Sequence, residues 1–457
     1  MSDENNVTWS NIDPKVRKIS MIGLALAMLI ACFDGTIIGT CGPVIAHELN
    51  GTELYAWMIT AYMLCETVMI PLSGKMSDHY GRKPLFLIGL GFFVGGSVLG
   101  GMSTSMEQLI LFRAIQGLGA GTMIPVVIAS VGDFYAPANR GKIQGVLGAI
   151  FGIGSAIGPL LGGYIAEYTT WRWVFYVNVP LAIIVLGLTI KKFPAAQVDI
   201  LHKVDYLGMA VLSAFLVDLL LFIEFGGQDI EWVSIESAVM MAIAAALLAI
   251  FILIERKVDD PVLAPHLFKN RTVVMCAIFM MIFGIGMMGA MTYSSMFNIY
   301  VYGLTTMQAG EISIALVAGM MITSLSSGAL LAKTGYKPWL IAGPIITAAS
   351  LWLMSGLKYG GDVMEMVFCL FILGLGLGCM MSVVMVATQN SARPGEMGMT
   401  TSSVNLMRSI GATAGTAIFA MVIAQRISSE LFANVPAEMY DKIPHDTGVL
   451  DEKSLVQ

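Results

Sequence analysis

Charged residues are scarce in this sequence. Asp, Glu, Lys and Arg make up 12% of its 457 residues, whereas hydrophobic residues make up 56%. Soluble domains carry about 25% charged residues, so this deficit excludes an ordinary soluble globular protein. It predicts a polytopic membrane protein built from α-helices. The net charge of −6 says less about the protein than the places where the charges fall.

Signals for several kinds of chemistry are also missing. The sequence has no Walker motif, no zinc-type spacing of Cys and His, and no nucleophile motif in a fitting context. The GxG patterns at 117–119 and 374–376 have no predicted strand before them, so they do not indicate a dinucleotide site. All six cysteines fall in apolar runs and form no disulfide framework. We therefore expect neither an enzyme nor an ATP-driven pump, and no cofactor, metal or nucleic-acid partner.

Long apolar runs are abundant instead. Each is long enough to cross a bilayer as a helix, and together they predict thirteen membrane helices. The runs cover residues 19–42, 54–73, 84–103, 107–131, 143–165, 171–190, 205–224, 236–254, 272–295, 308–331, 338–356, 363–388 and 399–424. Lys15, Arg17 and Lys18 precede the first run as in a secretory signal, but that run is too long for one. Most Lys and Arg residues fall in alternate loops, which by the positive-inside rule places the N-terminus in the cytoplasm.

An internal repeat divides the chain into two halves. Residues 73–84 align without gaps on residues 327–338, and GLGAG at 117–121 matches GLGLG at 374–378. Parallel half-repeats of this kind are typical of transporters whose site lies at the membrane midplane. We predict a first six-helix half over 1–195, an inserted helix pair over 196–260, a second half over 261–425 and a polar extracytoplasmic tail over 426–457.

The second half has one predicted helix fewer than the first. We expect the native chain to continue into a fourteenth helix beyond this sequence. The alternative is a protein that has thirteen helices.

Glycine recurs in the fifth run, which reads GAIFGIGSAIGPLLGG over residues 148–163. Gly154, Gly158 and Gly162 are spaced four apart, so they share one helix face. Small residues at this spacing let another helix backbone come close. Pro159 removes a helix hydrogen bond and favours a bend. The sequence predicts a bendable helix with a flat contact face.

Several stretches resemble signatures of the major facilitator superfamily. GKMSDHYGRKP after the second run resembles the GxLaDrxGrk loop, LILFRAIQGLGAG the RxxxG motif, and GIGSAIGPLLGG the GPxxGG antiporter motif. FDGTIIGTCGP at 33–43 and WRWVFYVNVP at 171–180 are similar to signatures of its fourteen-helix drug:proton antiporter family. The sequence departs from the family patterns at 39–42, His79 and Glu66. The resemblance implies two helical bundles around a central cavity, and it assigns an antiporter motif to Gly154, Gly158, Pro159, Gly162 and Gly163.

Three ionisable residues inside predicted membrane helices are functional candidates, because each intramembrane charge costs roughly 2.5–3.5 kcal/mol on insertion scales. The resemblance makes Asp34 a carboxylate for protons or cationic substrates; the alternative is a structural aspartate satisfied by neighbours such as Thr36. Glu66 is a candidate second titratable site or a partner for a cationic substrate; the alternative is a structural pair with an arginine. Arg113 cannot lose its charge, so it would tune the pKa of a carboxylate; the alternative is an ion pair that joins the first and fourth helices.

A predicted gating loop and a candidate cavity complete the set. The loop contains Gly74, Asp78, Gly81, Arg82 and Lys83. Asp78 is expected to accept hydrogen bonds from a helix N-terminus or an arginine, and Gly81 to make a tight turn. Arg82 and Lys83 also follow the positive-inside rule, which alone would account for them. The candidate cavity for flat cations comprises Trp57, Tyr62, Met288, Tyr293, Phe297, Gln389 and Asn390, each of which has ordinary helix packing as its alternative.

These features favour a proton-coupled antiporter that exports amphiphilic, cationic drugs across the cytoplasmic (inner) membrane by alternating access. Protonation of Asp34, alone or with Glu66, would compete with the substrate, so Asp34→Asn is expected to abolish efflux and leave the protein folded. We expect a monomer whose partners are small amphiphilic substrates, protons and the bilayer. The alternatives are an exporter of an endogenous lipid or fatty acid and a non-transporting membrane sensor.

Overall fold

The computed structural model describes residues 12–194, 204–226, 232 and 234–434. In these ranges the chain folds into fourteen α-helices. They are α1 Pro14–Glu48, α2 Tyr55–Tyr80, α3 Arg82–Gly101, α4 Met106–Phe134, α5 Pro137–Tyr168, α6 Trp173–Tyr176, α7 Asn178–Thr189, α8 Tyr206–Phe225, α9 Ile235–Glu255, α10 Arg271–Tyr300, α11 Thr306–Thr334, α12 Lys337–Met354, α13 Val363–Ser391 and α14 Met397–Asn434. Two short 3-10 helices, Thr52–Leu54 and Leu267–Lys269, precede α2 and α10.

The thirteen predicted membrane helices are confirmed, with one difference. The sixth run is broken at Val177 into the short α6 and α7. Within the described ranges, eleven helices are long and apolar enough to cross a membrane. The other two are α12, which has 18 residues, and the apolar helix over Trp173–Thr189.

The predicted boundaries at the C-terminal tail and at the end of the first half have different outcomes. The tail expected from residue 426 is wrong in its first part, because α14 continues as a helix to Asn434. The apolar run ends near 424, yet a helix continues as long as its backbone hydrogen bonds are satisfied and no breaking residue intervenes. The boundary at 195–196 and the rest of the tail, 435–457, lie outside the described residues.

The helices form two bundles and a peripheral pair. Helices α1 to α7 pack with one another as the first half, and α10 to α14 pack as the second. The halves meet mainly along α5 with α11 and along α2 with α14. These two contacts are related by the internal repeat, since α2 corresponds to α11 and α5 to α14. The inserted helices α8 and α9 pack on each other, and α8 lies against α2 and α14.

The repeated loops have the same backbone conformation. Gly81, between α2 and α3, has φ 90°, and its repeat partner Gly335, between α11 and α12, has φ 71°. A side chain is strained at such angles, so both turns require glycine. Arg82, Lys83, Lys333 and Lys337 lie at or beside these loops. We call this end of the molecule the basic end.

The two halves are in close contact at the basic end. A side chain built on Gly74 of α2 would lie 2.0 Å from Ser402 Oγ of α14, and one on Gly328 of α11 would lie 2.3 Å from the Gly141 oxygen of α5. Backbones can approach this closely only where a Cβ is missing. The basic end is therefore closed.

The opposite end is more open. α1 lies between α2 and α5, the two first-half helices that make the main contacts with the second half. On the face of α1 between them, Gly35, Gly39 and Pro43 are exposed. A Cβ on Gly39 would meet nothing within 4 Å. We call the space that this face borders the interior gap.

Candidate functional site

Asp34 and Arg113 form a buried ion pair within the first half. Arg113 Nη1 lies 2.7 Å from Asp34 Oδ2, and the side chains are 1% and 0% exposed. The other carboxylate oxygen accepts hydrogen bonds from Gln116 Nε2 (2.8 Å) and Asn178 Nδ2 (2.7 Å). Both amides also donate to Ser97 Oγ, at 2.7 and 2.8 Å. The charge of Asp34 is thus neutralised and solvated by side chains of α4 and α7, and the whole network draws on four helices of one bundle.

Tyr62 closes this network off from the interior gap. Its ring lies under the Arg113 guanidinium, with 4.1 Å from Cζ to the ring centroid, and its hydroxyl donates to the Ala31 oxygen at 3.4 Å. Tyr62 is 2% exposed and Asp34 is 0% exposed. The prediction that Asp34 meets substrate directly is therefore wrong for this conformation. Packing of one aromatic ring, which helix periodicity does not reveal, makes the difference.

Three members of the network were not singled out from the sequence. Gln116 is one helical turn beyond Arg113, which is a spacing at which side chains meet. Asn178 follows the break at Val177, inside the stretch WRWVFYVNVP. The sequence signal that could have identified Asn178 is its polar side chain inside an apolar run, since such a side chain in a membrane helix needs a partner. The structure buries it completely (0% exposed). Thr36, the expected partner of Asp34, instead donates to the backbone oxygens of Cys32 and Phe33.

Glu66 has a different environment. It is half-buried, and among the described residues it makes no hydrogen bond or ion pair. Its charge interacts most strongly with Arg408 of α14, and then with Arg113 and Asp34. The alternative considered for Glu66, a structural ion pair with an arginine, is absent in the described part of the chain. Glu66 is thus a carboxylate between the two halves that remains free to take a new partner.

Arg408 faces Glu66 from the second half. It is 8% exposed, and its guanidinium carbon lies 5.5 Å from the centroid of the Phe151 ring of α5. Nε donates to Asn405 Oδ1 at 2.9 Å. The charge of Glu66 acts on it as well. These contacts place Arg408 at the interior gap, where first-half helices face α14.

The predicted gating loop makes contacts of the kind that its residue types suggested. Asp78 accepts hydrogen bonds from the backbone nitrogens of Gly398 (2.8 Å) and Met399 (2.7 Å), at the start of α14. Arg82 lies 2.6 Å from Asp78 through Nη2, and its Nε donates to Asp133 at 2.7 Å. A carboxylate at a helix N-terminus is favourable because the helix dipole is positive there. Lys83 is half-buried, and no ion pair involves it within the described ranges.

A second contact at the basic end includes two predicted cavity residues. Arg140 of α5 donates from Nη1 to Asn390 Oδ1 (2.8 Å) and to the Gln389 backbone oxygen (3.2 Å). Asn390 Nδ2 donates to the Tyr336 hydroxyl, and Gln389 Nε2 to the Ile128 oxygen. Both amides therefore join the closed ends of the halves, and their prediction as cavity residues is wrong for this conformation.

The predicted aromatic cavity is dispersed. Trp57 packs against Phe225 of α8, with ring centroids 5.0 Å apart, and Tyr62 belongs to the buried network. Tyr293 stacks on Phe419 of α14. Phe297 contacts Tyr302, while Met288 packs beside the core. The structure does not gather these side chains on one surface, because helix rotation directs them towards different neighbours.

The glycines of the antiporter motif bring α5 against α1. A Cβ on Gly154 would lie 2.8 Å from Cys32 Cβ, and one on Gly158 or Gly162 would lie 2.0 or 2.1 Å from Thr36 Oγ1 or Thr40 Oγ1. Gly163 has open space instead. Pro159 lies inside the unbroken helix α5, and its ring faces Gly310 of α11 at 3.6 Å from a Cβ built there. This helix therefore touches both halves.

The described ranges contain no group of three or more His, Cys, Asp or Glu side chains that could hold a metal ion. The site consists instead of one buried, neutralised ion pair and two separated charges at the interior gap.

Comparison with known proteins identifies relatives across most of the chain. Residues 24–416 match the profile of the Major Facilitator Superfamily. The chain is 35% identical to the multidrug transporter protein MdtP of Bacillus subtilis over 94% of this chain and 79% of that protein. It is 32% identical to multidrug resistance protein 3 of the same organism, over 91% of this chain and 81% of the relative. The fold is similar to that of the human organic anion transporter MFSD10, with a TM-score of 0.63 at 16% identity over 89% of this chain and 93% of that one.

Proposed function

The chain belongs to the major facilitator superfamily, and on this basis we propose that it is a proton-coupled exporter of amphiphilic, cationic compounds. It is a membrane transporter and not an enzyme. Its relatives include two multidrug transporters, which supports multidrug efflux as the activity. The energy comes from a proton gradient, and no cofactor is required. The protein works as a monomer in the cytoplasmic membrane.

Glu66 is the observation that carries this proposal. A carboxylate that is half-buried and unpaired within the described structure can bind either a proton or a cationic group, but not both at once. This competition is what an antiporter needs, because each ligand must displace the other. Export then follows when the proton gradient favours proton binding from outside.

Asp34 and Arg113 take a different role in this proposal. Their pair is sealed in the first half, so neither meets the substrate in this conformation. Both charges of the pair still act on Glu66: Arg113 attracts the charged carboxylate and Asp34 repels it, with the Arg113 effect the larger. The pair thereby tunes proton binding at Glu66 without itself exchanging protons with the gap.

The closed basic end defines the state of the transport cycle. The positive-inside rule assigns that end, with Arg82, Lys83, Lys333 and Lys337, to the cytoplasm. The conformation is then outward-facing, held by Asp78 on the start of α14 and by Arg140 on Asn390. Opening to the cytoplasm requires these contacts to break, which makes the loop of Gly74, Asp78, Gly81, Arg82 and Lys83 a gate.

Flux driven by a pH gradient tests the proposal. Purified protein is reconstituted into liposomes, and the movement of ethidium is followed by fluorescence after a pH jump. We expect gradient-dependent flux in the wild type and none in Glu66→Gln, which keeps the shape but cannot exchange a proton. The matched control is Glu224→Gln. Glu224 is also a half-buried membrane carboxylate, but it is hydrogen-bonded to Thr60 on the α8 side, so its loss should leave flux intact.

The result that would contradict the proposal is flux that ignores the pH gradient in the wild type. Flux that persists in Glu66→Gln would instead exclude Glu66 as the proton-binding residue and assign proton binding to another group.

A specific feature favours export of an endogenous lipid or fatty acid as the second candidate. An apolar cavity of about 360 Å³ opens between α1 and α5, with Lys18 at its rim and Leu26, Leu29 and Ile150 in its lining. Such a groove fits an acyl chain, and Lys18 fits its anionic head. Flux of a fluorescent fatty acid that exceeds ethidium flux in the same vesicles would favour this function.

A further inference from the structure

Arg408 is a charged group whose hydrogen-bonding capacity is largely unused. Its Nε donates to Asn405, but in the described part of the chain the two terminal nitrogens donate to no acceptor. A guanidinium keeps its charge at every accessible pH. Holding it in a membrane protein interior without a carboxylate or phosphate partner is costly. An anionic partner is therefore expected at some stage of the working cycle.

Asn405 supplies a second, independent sign of a missing ligand. It is 2% exposed, and its amide nitrogen is buried without a hydrogen-bond partner. Because the amide oxygen already accepts from Arg408 Nε, the free group must be the N–H₂ donor. Buried donors without acceptors are rare in folded proteins. Asn405 and Arg408 are one turn apart on α14, so their unused donors belong to one local cluster.

The opposite wall of the interior gap carries the complementary charge. Glu66 and Arg408 interact electrostatically, yet they form no ion pair within the described structure. Phe151 provides an aromatic face beside the guanidinium. The gap thus offers a carboxylate from the first half, a cation with free donors from the second, and an apolar ring of α5 beside the cation.

We propose that Arg408 and Asn405 form a subsite for the acidic group of a zwitterionic amphiphile, whose cationic group lies against Glu66. A planar guanidinium and a nearby amide donor suit a carboxylate, which can accept from several donors at once. The proposal rests on the proposed function and narrows its substrate class from cations to zwitterions. It also explains why Glu66 and Arg408 form no ion pair with each other, since an ion pair would occupy both binding groups.

A pair of dyes that differ only in the acidic group tests the subsite. Rhodamine B carries a carboxylate and a delocalised cation, and its ethyl ester retains the cation but lacks the carboxylate. Binding to purified full-length protein is measured by fluorescence polarisation at neutral pH. We expect Arg408→Gln to weaken rhodamine B binding about tenfold or more, the usual effect of losing hydrogen bonds to a charged group. The ester should bind the wild type and Arg408→Gln with similar affinity.

Two further variants separate recognition from structural damage. Asn405→Ala removes the free donor but keeps the guanidinium, so it should weaken rhodamine B in the same direction and leave the ester unchanged. Arg408→Lys keeps the positive charge but lacks the planar guanidinium with its several N–H donors. It should bind rhodamine B more tightly than Arg408→Gln and less tightly than the wild type. Glu66→Gln should weaken both dyes, because both carry the cation.

Three results would overturn the subsite. These are equal weakening of both dyes by Arg408→Gln, no effect of Arg408→Gln on rhodamine B, or wild-type protein that prefers the ester. None of these requires a gradient, so they are distinct from a failure of transport. Ethidium flux that depends on the pH gradient can coexist with a failed subsite, and selective rhodamine B binding can coexist with absent flux.

Discussion

At the scale of single residues, the Asp34–Arg113 pair shows why an intramembrane charge is tolerated. The ion pair is 2.7 Å long, and the amides of Gln116 and Asn178 donate to the remaining oxygen. A buried ion pair is weak evidence of stabilisation by itself, because desolvation offsets the attraction. Removing one partner is far more harmful, since the other charge stays buried alone. The pair is therefore obligatory once either member is present.

The first prediction follows from this asymmetry. Asp34→Asn should destabilise the protein by about 3–5 kcal/mol, the usual cost of leaving one partner of a buried pair uncompensated. The sequence led us to expect that this variant leaves the protein folded, and the structure adds that it loses stability. Thermal unfolding in detergent, followed by intrinsic fluorescence, measures the loss. The double variant Asp34→Asn with Arg113→Gln should recover most of it, because no net charge then remains in the network.

Equal stability of Asp34→Asn and the wild type would show that Arg113 has another anionic partner. An unfolded double variant would show that the network needs its charges and not only its hydrogen bonds.

Residue identity alone could find these groups, but it could not orient them. Asp34, Glu66 and Arg113 stand out in the sequence because charge is rare in apolar runs. Whether each faces the gap or a neighbouring helix depends on helix rotation and on single side chains such as Tyr62. Arg408 also interrupts an apolar run, but its significance comes from Glu66 on a helix of the other half. Contacts between distant segments leave no local periodic signal.

At the scale of elements, glycine decides which helices meet. The stripe in α5 correctly indicated a close helix contact, and α1 is the helix that fills it. The break between α6 and α7 was not foreseen, because WRWVFYVNVP reads as a continuous apolar run. Its physical effect is to present Asn178 to Asp34, so the irregularity serves the buried network.

The second prediction concerns the two glycine contacts that close the basic end. Gly74→Ala places a methyl group against Ser402 and the Gly398 oxygen, at 2.0 and 2.6 Å before relaxation. α14 must move away, so the closed basic end should lose population. Alanine otherwise favours a helix interior over glycine by about 0.5–1 kcal/mol. Electron spin resonance distances between labels at Lys15→Cys and Lys333→Cys should shift to larger values.

Gly91→Ala is the matched control for this measurement. Gly91 is also in a helix interior, but a Cβ there meets nothing within 4 Å, so the label distances should not change. Unaltered distances in Gly74→Ala as well would mean that α14 accommodates the methyl group without opening.

The third prediction addresses the linker that joins the inserted pair to the second half. Glu255, at the end of α9, accepts hydrogen bonds from the backbone nitrogens of Val262 (3.0 Å) and Leu263 (3.2 Å). Nearby, Lys75 of the gating loop forms an ion pair with Asp260. Glu255→Ala leaves two buried amide donors without acceptors, at about 1–3 kcal/mol each. Hydrogen exchange of residues 256–266, measured by mass spectrometry, should become faster.

Lys257→Ala serves as the control, because Lys257 lies in the same linker and is exposed. Unchanged exchange in Glu255→Ala would show that the linker is held by its apolar contacts, such as the buried Val262 and Leu263, and not by the carboxylate.

At the scale of the whole molecule, the internal repeat determines how the halves meet. Gly74 and Gly328 occupy equivalent positions, and they contact helices that are themselves repeat partners, α14 and α5. The contact of Asp78 with the start of α14 has no counterpart in the second half, because Ala332 occupies the equivalent position. The basic end therefore combines two similar backbone contacts with the polar contacts of Asp78 and Arg140, and breaking the Asp78 contact alone leaves the glycine contacts in place.

The fourth prediction uses Gly39 to test two proposals together, the orientation of the protein in the membrane and its outward-facing conformation. Gly39 is exposed at the interior gap and has free space around it, so Gly39→Cys should accept a bulky thiol reagent. In intact cells a membrane-impermeant maleimide should label it from outside, since the positive-inside rule places the open end there. Lys333→Cys, exposed at the basic end, should be labelled only after the membrane is permeabilised.

Native Cys65 is half-buried and is replaced by Ser in both variants, while the other five cysteines are buried. The reverse labelling pattern would invert the orientation, and an unreactive Gly39→Cys would mean that the dominant state in cells is closed on the outside.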